Sequence, residues 1–321
     1  MKIKKIIIVF LLILIAKSST AAFLQPMAKV TAKAVDSKGQ PVIGASVTVE
    51  FLINTGWGSI SNFIKGKTDK NGEFTGEGQS LDRCTIGIDK DGFYSSDYTL
   101  HFNKSTALNR WEPWNPTVEV ALKEIKNPVA MYAKKTGELK VPILEKPVGY
   151  DFEKGDWVTP YGNGVVSDFV FICKANPESH SKWECSYKLI FSNPMDGIFD
   201  YASNKKDQSV YDWPYDAPEV GYKSEINWSS AYDMNIGKKS DYNEKRRYIF
   251  RVRTKTDEKG NITSAYYGKI KGDIRFFAGG YFDFEYYFNP SGSKNLEYDP
   301  KKSLFKWKTM KEIDNNKVDR P

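Results

Sequence analysis

Two stretches crowd acidic and amide side chains around a glycine, the composition of a calcium loop: TDKNGEFTGEG at residues 68–78 and IDKDGFYSS at 88–96. An EF-hand-type loop takes oxygen ligands at positions 1, 3 and 5, glycine at 6 and glutamate at 12. With Gly72 in sixth place, Lys67 falls first and Gly78 twelfth; with Gly92 sixth, Gly87 falls first. Neither register supplies the ligands, so both stretches read as hairpin turns in which Asp and Asn cap their own backbone and glycine supplies a positive φ. Zinc finds no ligand spacing among three cysteines and two histidines, His101 and His180. No metal, no cofactor and no catalytic residue is expected: a P-loop, a G-x-G-x-x-G turn and a G-x-S-x-G elbow do not occur in the sequence.

Carboxylates beside tryptophans are the remaining source of acid–base chemistry. Asp151, Glu153 and Asp156 flank Trp157, and Asp212 and Asp216 flank Trp213; a glycoside hydrolase needs such a pair at a fixed separation, which no motif here sets. Binding chemistry is richer. Trp111 and Trp114 in one loop, and Tyr211, Trp213 and Tyr215 in another, are of the type that stacks on sugar rings, or else packs against its own domain. Arg251, Arg253, Lys255, Lys269 and Lys271 alternate along two runs and would form a basic row able to meet an anionic polymer, or an ordinary solvated sheet face neutralised by Asp273, Asp283 and Glu285. Cys173 and Cys185 bound a hairpin; set opposite each other at its mouth they would form a disulfide. Cys84 is left over and reads as a small buried hydrophobe.

The elements that carry these residues are strands throughout. AKVTAKAV, ASVTVEF and TVEVALK alternate, with Val30, Ala32 and Ala34, then Val47, Val49 and Phe51, then Val118, Val120 and Leu122 on the inward side. With the shorter runs between them they make about seven strands, each bounded by turn signals, over residues 23–125, the pattern of a β-sandwich. In the second half, residues 248–277 read as a long hairpin turning at 257–261, and GYFDFEYYF follows as a third strand. Residues 126–149 carry three prolines and no steady period, and are expected to be an extended linker or an extended arm lying on one domain. Residues 150–312 then form a second antiparallel β-rich domain, and 313–321 a tail.

The first third resembles the carboxypeptidase regulatory-like domain, a transthyretin-like sandwich. Asp36, Gly39, Pro41, Gly44, Ala45 and Val47 match its first hairpin, Thr68, Asp69, Gly72 and Phe74 its second, and Gly92, Phe93 and Tyr94 its glycine-aromatic strand. The resemblance implies an all-β, seven-stranded transthyretin/Ig-like sandwich and says little about function, because such domains are attached to many proteins. NPSGSKNLEYDPKKSLF, at 289–305, is similar to the tails of uncharacterised exported bacterial proteins.

Residues 1–22 read as a secretory signal: Lys2, Lys4 and Lys5, an apolar run from 6 to 15, then small residues. Loss of that segment brings the formal charge from +7 to +3, too mild to argue for nucleic acid, and no later run is apolar enough to span a bilayer. The expectation is an exported, non-catalytic binding or scaffolding module in the periplasm, at the cell surface or outside, with a polysaccharide, envelope component or protein as partner. Two alternatives stand beside it: a carbohydrate-active enzyme using carboxylates of the second domain, and a subunit of an envelope complex.

Overall fold

A computed structural model describes residues 25–106, 108–202 and 209–321. The expected signal peptide lies outside these residues. No helix among the described residues is long and apolar enough to cross a membrane. The chain divides into two compact units, Met1–Ile125 with Lys205–Asp212, and Lys126–Asn204 with Trp213–Pro321.

The first unit contains β1 (Met27–Val35), β2 (Ser46–Asn54), β3 (Ser59–Lys67), β4 (Glu73–Gln79), β5 (Arg83–Asp89), β6 (Ser96–His101), β7 (Lys104–Ser105), β8 (Trp111–Glu112) and β9 (Thr117–Ala121). Seven of these form the expected two-sheet sandwich, ordered β4–β1–β9 and β3–β2–β5–β6, while β7 and β8 pair as a small separate hairpin. The core is filled by complementary sizes. Ala28, Ala32 and Ala34 on β1 leave room for Val47, Val49 and Phe51 on β2, all essentially inaccessible to solvent. Gly76 and Gly78 on β4 have the same role, since a Cβ at Gly78 would stand 2.9 Å from the Phe51 ring.

Three of the turns share one geometry. Asp69 Oδ1 accepts the amides of Asn71 and Glu73 at 2.9 Å each, and Gly72 takes φ +76°. Asp36 with Lys38 and Gln40, and Asp257 with Lys259 and Asn261, repeat this at 2.8–2.9 Å, with Gly39 and Gly260 left-handed. Those backbone hydrogen bonds hold the Asp69 carboxyl below its usual range. Asp89 does not follow the pattern: it accepts from the Ser95 hydroxyl instead.

The second unit contains β10 (Tyr132–Lys135), β11 (Leu139–Lys140), β12 (Pro147–Asp151), β13 (Asp156–Trp157), β14 (Phe169–Ser179), β15 (Lys182–Ile190), β16 (Gly197–Ala202), β17 (Glu225–Asp233), β18 (Gly237–Ser240), β19 (Arg246–Thr256), β20 (Ile262–Phe277), β21 (Tyr281–Asn289) and α1 (Met310–Asn316). They build two six-stranded sheets, β10–β21–β20–β19–β16 with β11 also on β21, and β13–β12–β14–β15–β17–β18. The core is largely aromatic: Phe169, Phe171 and Tyr187 meet Phe250, Phe282 and Tyr286, with edge-to-face pairs such as Phe152–Phe169 at 4.7 Å.

Residues 126–149 take the form of an arm lying on the second unit: they supply β10 and β11, which pair with β21, and the start of β12, which pairs with β14. Within the 313–321 tail, α1 reaches Asn316 and Val318 is buried with Met131, Ala133, Tyr287 and Tyr298. One expectation is overturned. The disulfide is not formed. Cys173 pairs with Tyr187 and Cys185 with Ala175, so the two cysteines sit on a diagonal of the hairpin, about 7–8 Å apart in such a ladder, beyond the reach of a bridge. The ladder register, Cys173 on Tyr187, is two residues away from the one that would set Cys173 against Cys185. All three cysteines are free and buried. Burial pushes the thiols of Cys84 and Cys173 up to about 12 and that of Cys185 up to about 11, which makes them poor nucleophiles.

Candidate functional site

The aromatic residues singled out in the sequence each pack against side chains of their own unit. Trp111 donates Nε1–H to the Ser80 carbonyl at 2.9 Å and stacks on Phe102 at 5.8 Å. The Trp114 ring carries the Arg110 guanidinium at 4.7 Å and the Lys29 ammonium at 6.0 Å. Tyr211 is fully buried against Tyr94 within the first unit. Trp213 belongs to the second unit and is buried beside Tyr201 at 5.7 Å, with Lys269 Nζ 5.2 Å from its ring. Tyr215 is covered by the Lys126 ammonium at 3.8 Å. None of these five lines either of the two recesses described below.

The basic row does not form as one solvated surface. Arg251 is 8% exposed and donates to the carbonyls of Met195 and Glu219 while lying over Tyr222. Lys269 is fully buried, its ammonium 4.5 Å from the Tyr287 ring. Lys271 pairs with Glu285 at 3.9 Å and Arg275 with Asp283 at 3.6 Å, the neutralisation expected from the sequence.

Arg253 is the largest departure. A β-bulge in β19 sets Arg253 and Thr254 against one residue of β20, and Arg253 itself has φ +54°. The bulge re-aims the guanidinium into a cluster of carboxylates: Asp168 at 2.7 Å, Glu153 at 2.6 Å and Asp151 at 3.2 Å. Asp196 closes the bulge by accepting the amides of Arg253 and Thr254 at 2.9 Å each. Burial pushes the Asp168 carboxyl up to about 6, partly offset by Arg253. Burial also opposes ionisation of Asp151, but the amides of Val165, Val166 and Lys154, together with Arg253, outweigh it and hold that carboxyl below its usual range. Asp156 is likewise engaged, accepting from the amides of Trp157 and Asn163 at 2.8 Å. Asp212 and Asp216 fall in different units. The first group of carboxylates is thus a set of structural acceptors rather than an acid–base pair facing a cavity.

Two recesses in the second unit contrast in chemistry. One, of about 420 Å3, is lined by Asp200, Lys223, Glu225, Asp241, Arg246 and Tyr248. Its charges are matched from within the chain: Glu225 with Lys188 at 2.7 Å and Arg246 with the buried Asp273 at 3.2 Å. The other, of about 310 Å3, lies between residues of the two sheets, and Trp183, Trp228, Tyr242, Phe277, Tyr281 and Arg275 line it. Its walls are fixed. Trp228 donates Nε1–H to Asp273 at 3.4 Å and is stacked on Tyr187 at 5.5 Å. Phe277 and Tyr281 stack at 4.7 Å, and the Arg275 guanidinium lies 4.8 Å from the Phe277 ring and 5.3 Å from Tyr242.

Sequence reasoning passed over these residues. The signal available was Trp183, which continues the inward face of Cys185, Tyr187 and Leu189 past the point where burial is complete. An inward aromatic at the open end of a sandwich is where a recess forms.

No protein-family model and no curated protein matches the chain. Among solved structures, 3-chlorocatechol 1,2-dioxygenase from Rhodococcus opacus is 12% identical, with 32% of this chain and 61% of that one covered and a TM-score of 0.26. The chain spans less than two thirds of the length of the dioxygenases it matches. The shaft pilin SpaA of Lactobacillus rhamnosus GG is 11% identical over 75% of this chain and 92% of that one, TM-score 0.23. BcpA, the major pilin subunit of Bacillus cereus, is 12% identical over 84% and 99%, TM-score 0.21. Likenesses of this size bear on nothing this chain does; its fold rests on its own strand register.

Proposed function

We propose that the protein is a non-catalytic binding module, exported to the periplasm, the cell surface or the medium, and that it takes up one ring of a glycan in the aromatic recess of its second sandwich. The observation that carries this reading is the convergence of Trp183, Trp228, Tyr242, Phe277 and Tyr281 on one recess of about 310 Å3, within the range of small-ligand sites. Sugar rings present flat C–H faces, and rigid aromatic walls receive them at little entropic cost. The carboxylates that an enzymatic reading would use are engaged elsewhere, on Arg253 and on backbone amides.

A glycan array read with the purified chain tests this, with a reducing-sugar assay on the same polymers. Retention without release of reducing ends is expected, with Tyr242→Ala and Tyr281→Ala losing it and Trp111→Ala keeping it. Release of reducing ends would replace the binding reading with a hydrolase. Retention lost in Trp111→Ala but not in Tyr242→Ala would move the site to the first unit. A blank array with a protein co-purifying would favour a complex subunit.

A further inference from the structure

The aromatic recess has a charge as well as a shape. Arg275 and Lys238 both reach it, and no carboxylate is among its lining residues. Lys238 is exposed on the edge strand β18, with no carboxylate partner among the described residues. Arg275 is held in place by Tyr242 and Phe277, and its ion pair to Asp283 is long at 3.6 Å and nearly half exposed on both sides. Such a pair is worth little in water, so the guanidinium can exchange Asp283 for a ligand oxygen at small cost. The nearest acid to Arg275 in sequence, Asp273, is buried behind the Trp228 wall and paired with Arg246 at 3.2 Å, and Asp241 accepts the Ser229 amide and hydroxyl at 2.8 Å. The polar recess differs, since three carboxylates and two cations share its lining.

Building on the glycan-binding reading, we propose that this recess selects an acidic sugar unit, a pyranose ring bearing a carboxylate, as in a polyuronate. The ring would sit among Trp183, Tyr242 and Tyr281, and the carboxylate would meet Arg275 in the forked geometry that guanidinium offers. Lys238 adds a second positive charge, and Ser230 and Ser240 line the same space. The volume, about 310 Å3, holds one ring, with the rest of a polymer passing outside.

One polymer in two charge states separates this proposal from the reading beneath it. Polygalacturonate and its fully methyl-esterified form share the ring and differ in charge. Titration calorimetry at physiological salt should show the free acid binding about tenfold or more tightly than the ester, the scale of one charge-assisted hydrogen bond. Arg275→Gln should erase the difference, Tyr242→Ala should weaken both forms, and Lys65→Gln, far along the chain on β3, should change neither. Free galacturonate against the polymer tells a lone acid from a chain unit: binding of the monomer alone assigns the recess to a small solute and overturns the polymer assignment. Equal binding of acid and ester leaves a glycan module and sinks the charge proposal. Loss of binding in Lys65→Gln equal to that in Arg275→Gln makes the attraction diffuse, which also sinks it. No binding of either form removes the proposal and, with a blank array, the reading it rests on. Unfolding midpoints of the variants, expected to match the parent, guard against misfolding.

Discussion

At the scale of single residues, Arg253 has more structural weight than any other charged group in the second unit. It sits on a left-handed backbone, is largely buried, and answers three carboxylates at once. Removing one partner from a buried charge cluster leaves the others uncompensated, so Arg253→Met should destabilise the second unit by about 3–5 kcal/mol, measured by urea denaturation. The cluster also predicts a pH dependence. Asp168 is raised in the fold to about 6 from an ordinary 3.8. A raised carboxyl contributes stability that is fully present below about pH 4 and is lost as pH rises through about 6, because between those values the folded state binds a proton that the unfolded chain has released. A rise of that size corresponds to about 3 kcal/mol at most. Asp196 is raised by burial and acts in the same direction, whereas Asp151 is lowered and acts in the opposite one, losing its contribution as pH falls. Asp168→Asn mimics the protonated form and should flatten the fall in stability between pH 4 and 6. A 13C carboxyl titration placing Asp168 near 4 would remove the basis for this.

At the scale of elements, β20 shows how a strand shapes a site through its irregularities. Its register with β21 shifts between Lys271 and Arg275, and Gly272 there has φ +81°. The extra residues carry Asp273 inward, where it accepts from Trp228 Nε1, Tyr248 and the Asn243 amide and so fixes one wall of the aromatic recess. Two glycines of this strand make different predictions. At Gly272 a Cβ meets nothing within 4 Å, so Gly272→Ala should carry only the left-handed backbone penalty, about 1–2 kcal/mol. At Gly268 a Cβ would stand 2.2 Å from the Phe250 ring and 2.4 Å from the Tyr287 carbonyl, so Gly268→Ala should cost more, about 3 kcal/mol or beyond. Chemical denaturation of both variants checks the order; a reversed order would mean the sheets part more easily than their packing implies. The long hairpin turning at Asp257 and the acid–base pairs Lys271–Glu285 and Arg275–Asp283 were legible in the sequence, because alternation and the D-x-x-G turn are local signals. The burial of Arg251 and Lys269, the aim of Arg253 and the diagonal cysteines were not. Each depends on a bulge, a turn register or a covering segment, and a one- or two-residue shift in a strand changes what every side chain meets without changing the pattern. The recess depends further on which strands of two different sheets end together, which no single run of residues encodes.

At the scale of the molecule, two hydrophobic cores share no residue. One is built around Val49, Phe51 and Ile86, the other around Phe171, Tyr187 and Phe282. Each is large enough to unfold as its own cooperative block, so a single transition for the whole chain is not required. Calorimetry should resolve two transitions. Phe51→Ala removes a fully buried ring from the first core, a loss of about 3–5 kcal/mol, and should lower one midpoint alone. Phe171→Ala should lower the other. A ligand that binds only the folded second sandwich must then raise that second midpoint by mass action, by an amount set by its concentration relative to Kd, and leave the first where it was. Polygalacturonate added to the Phe51→Ala variant is therefore the most discriminating single scan. The lowered transition should stay lowered while the other climbs. A shift of the first transition instead would locate ligand uptake in the N-terminal sandwich, and a single transition displaced as a whole would mean the two cores fold as one block.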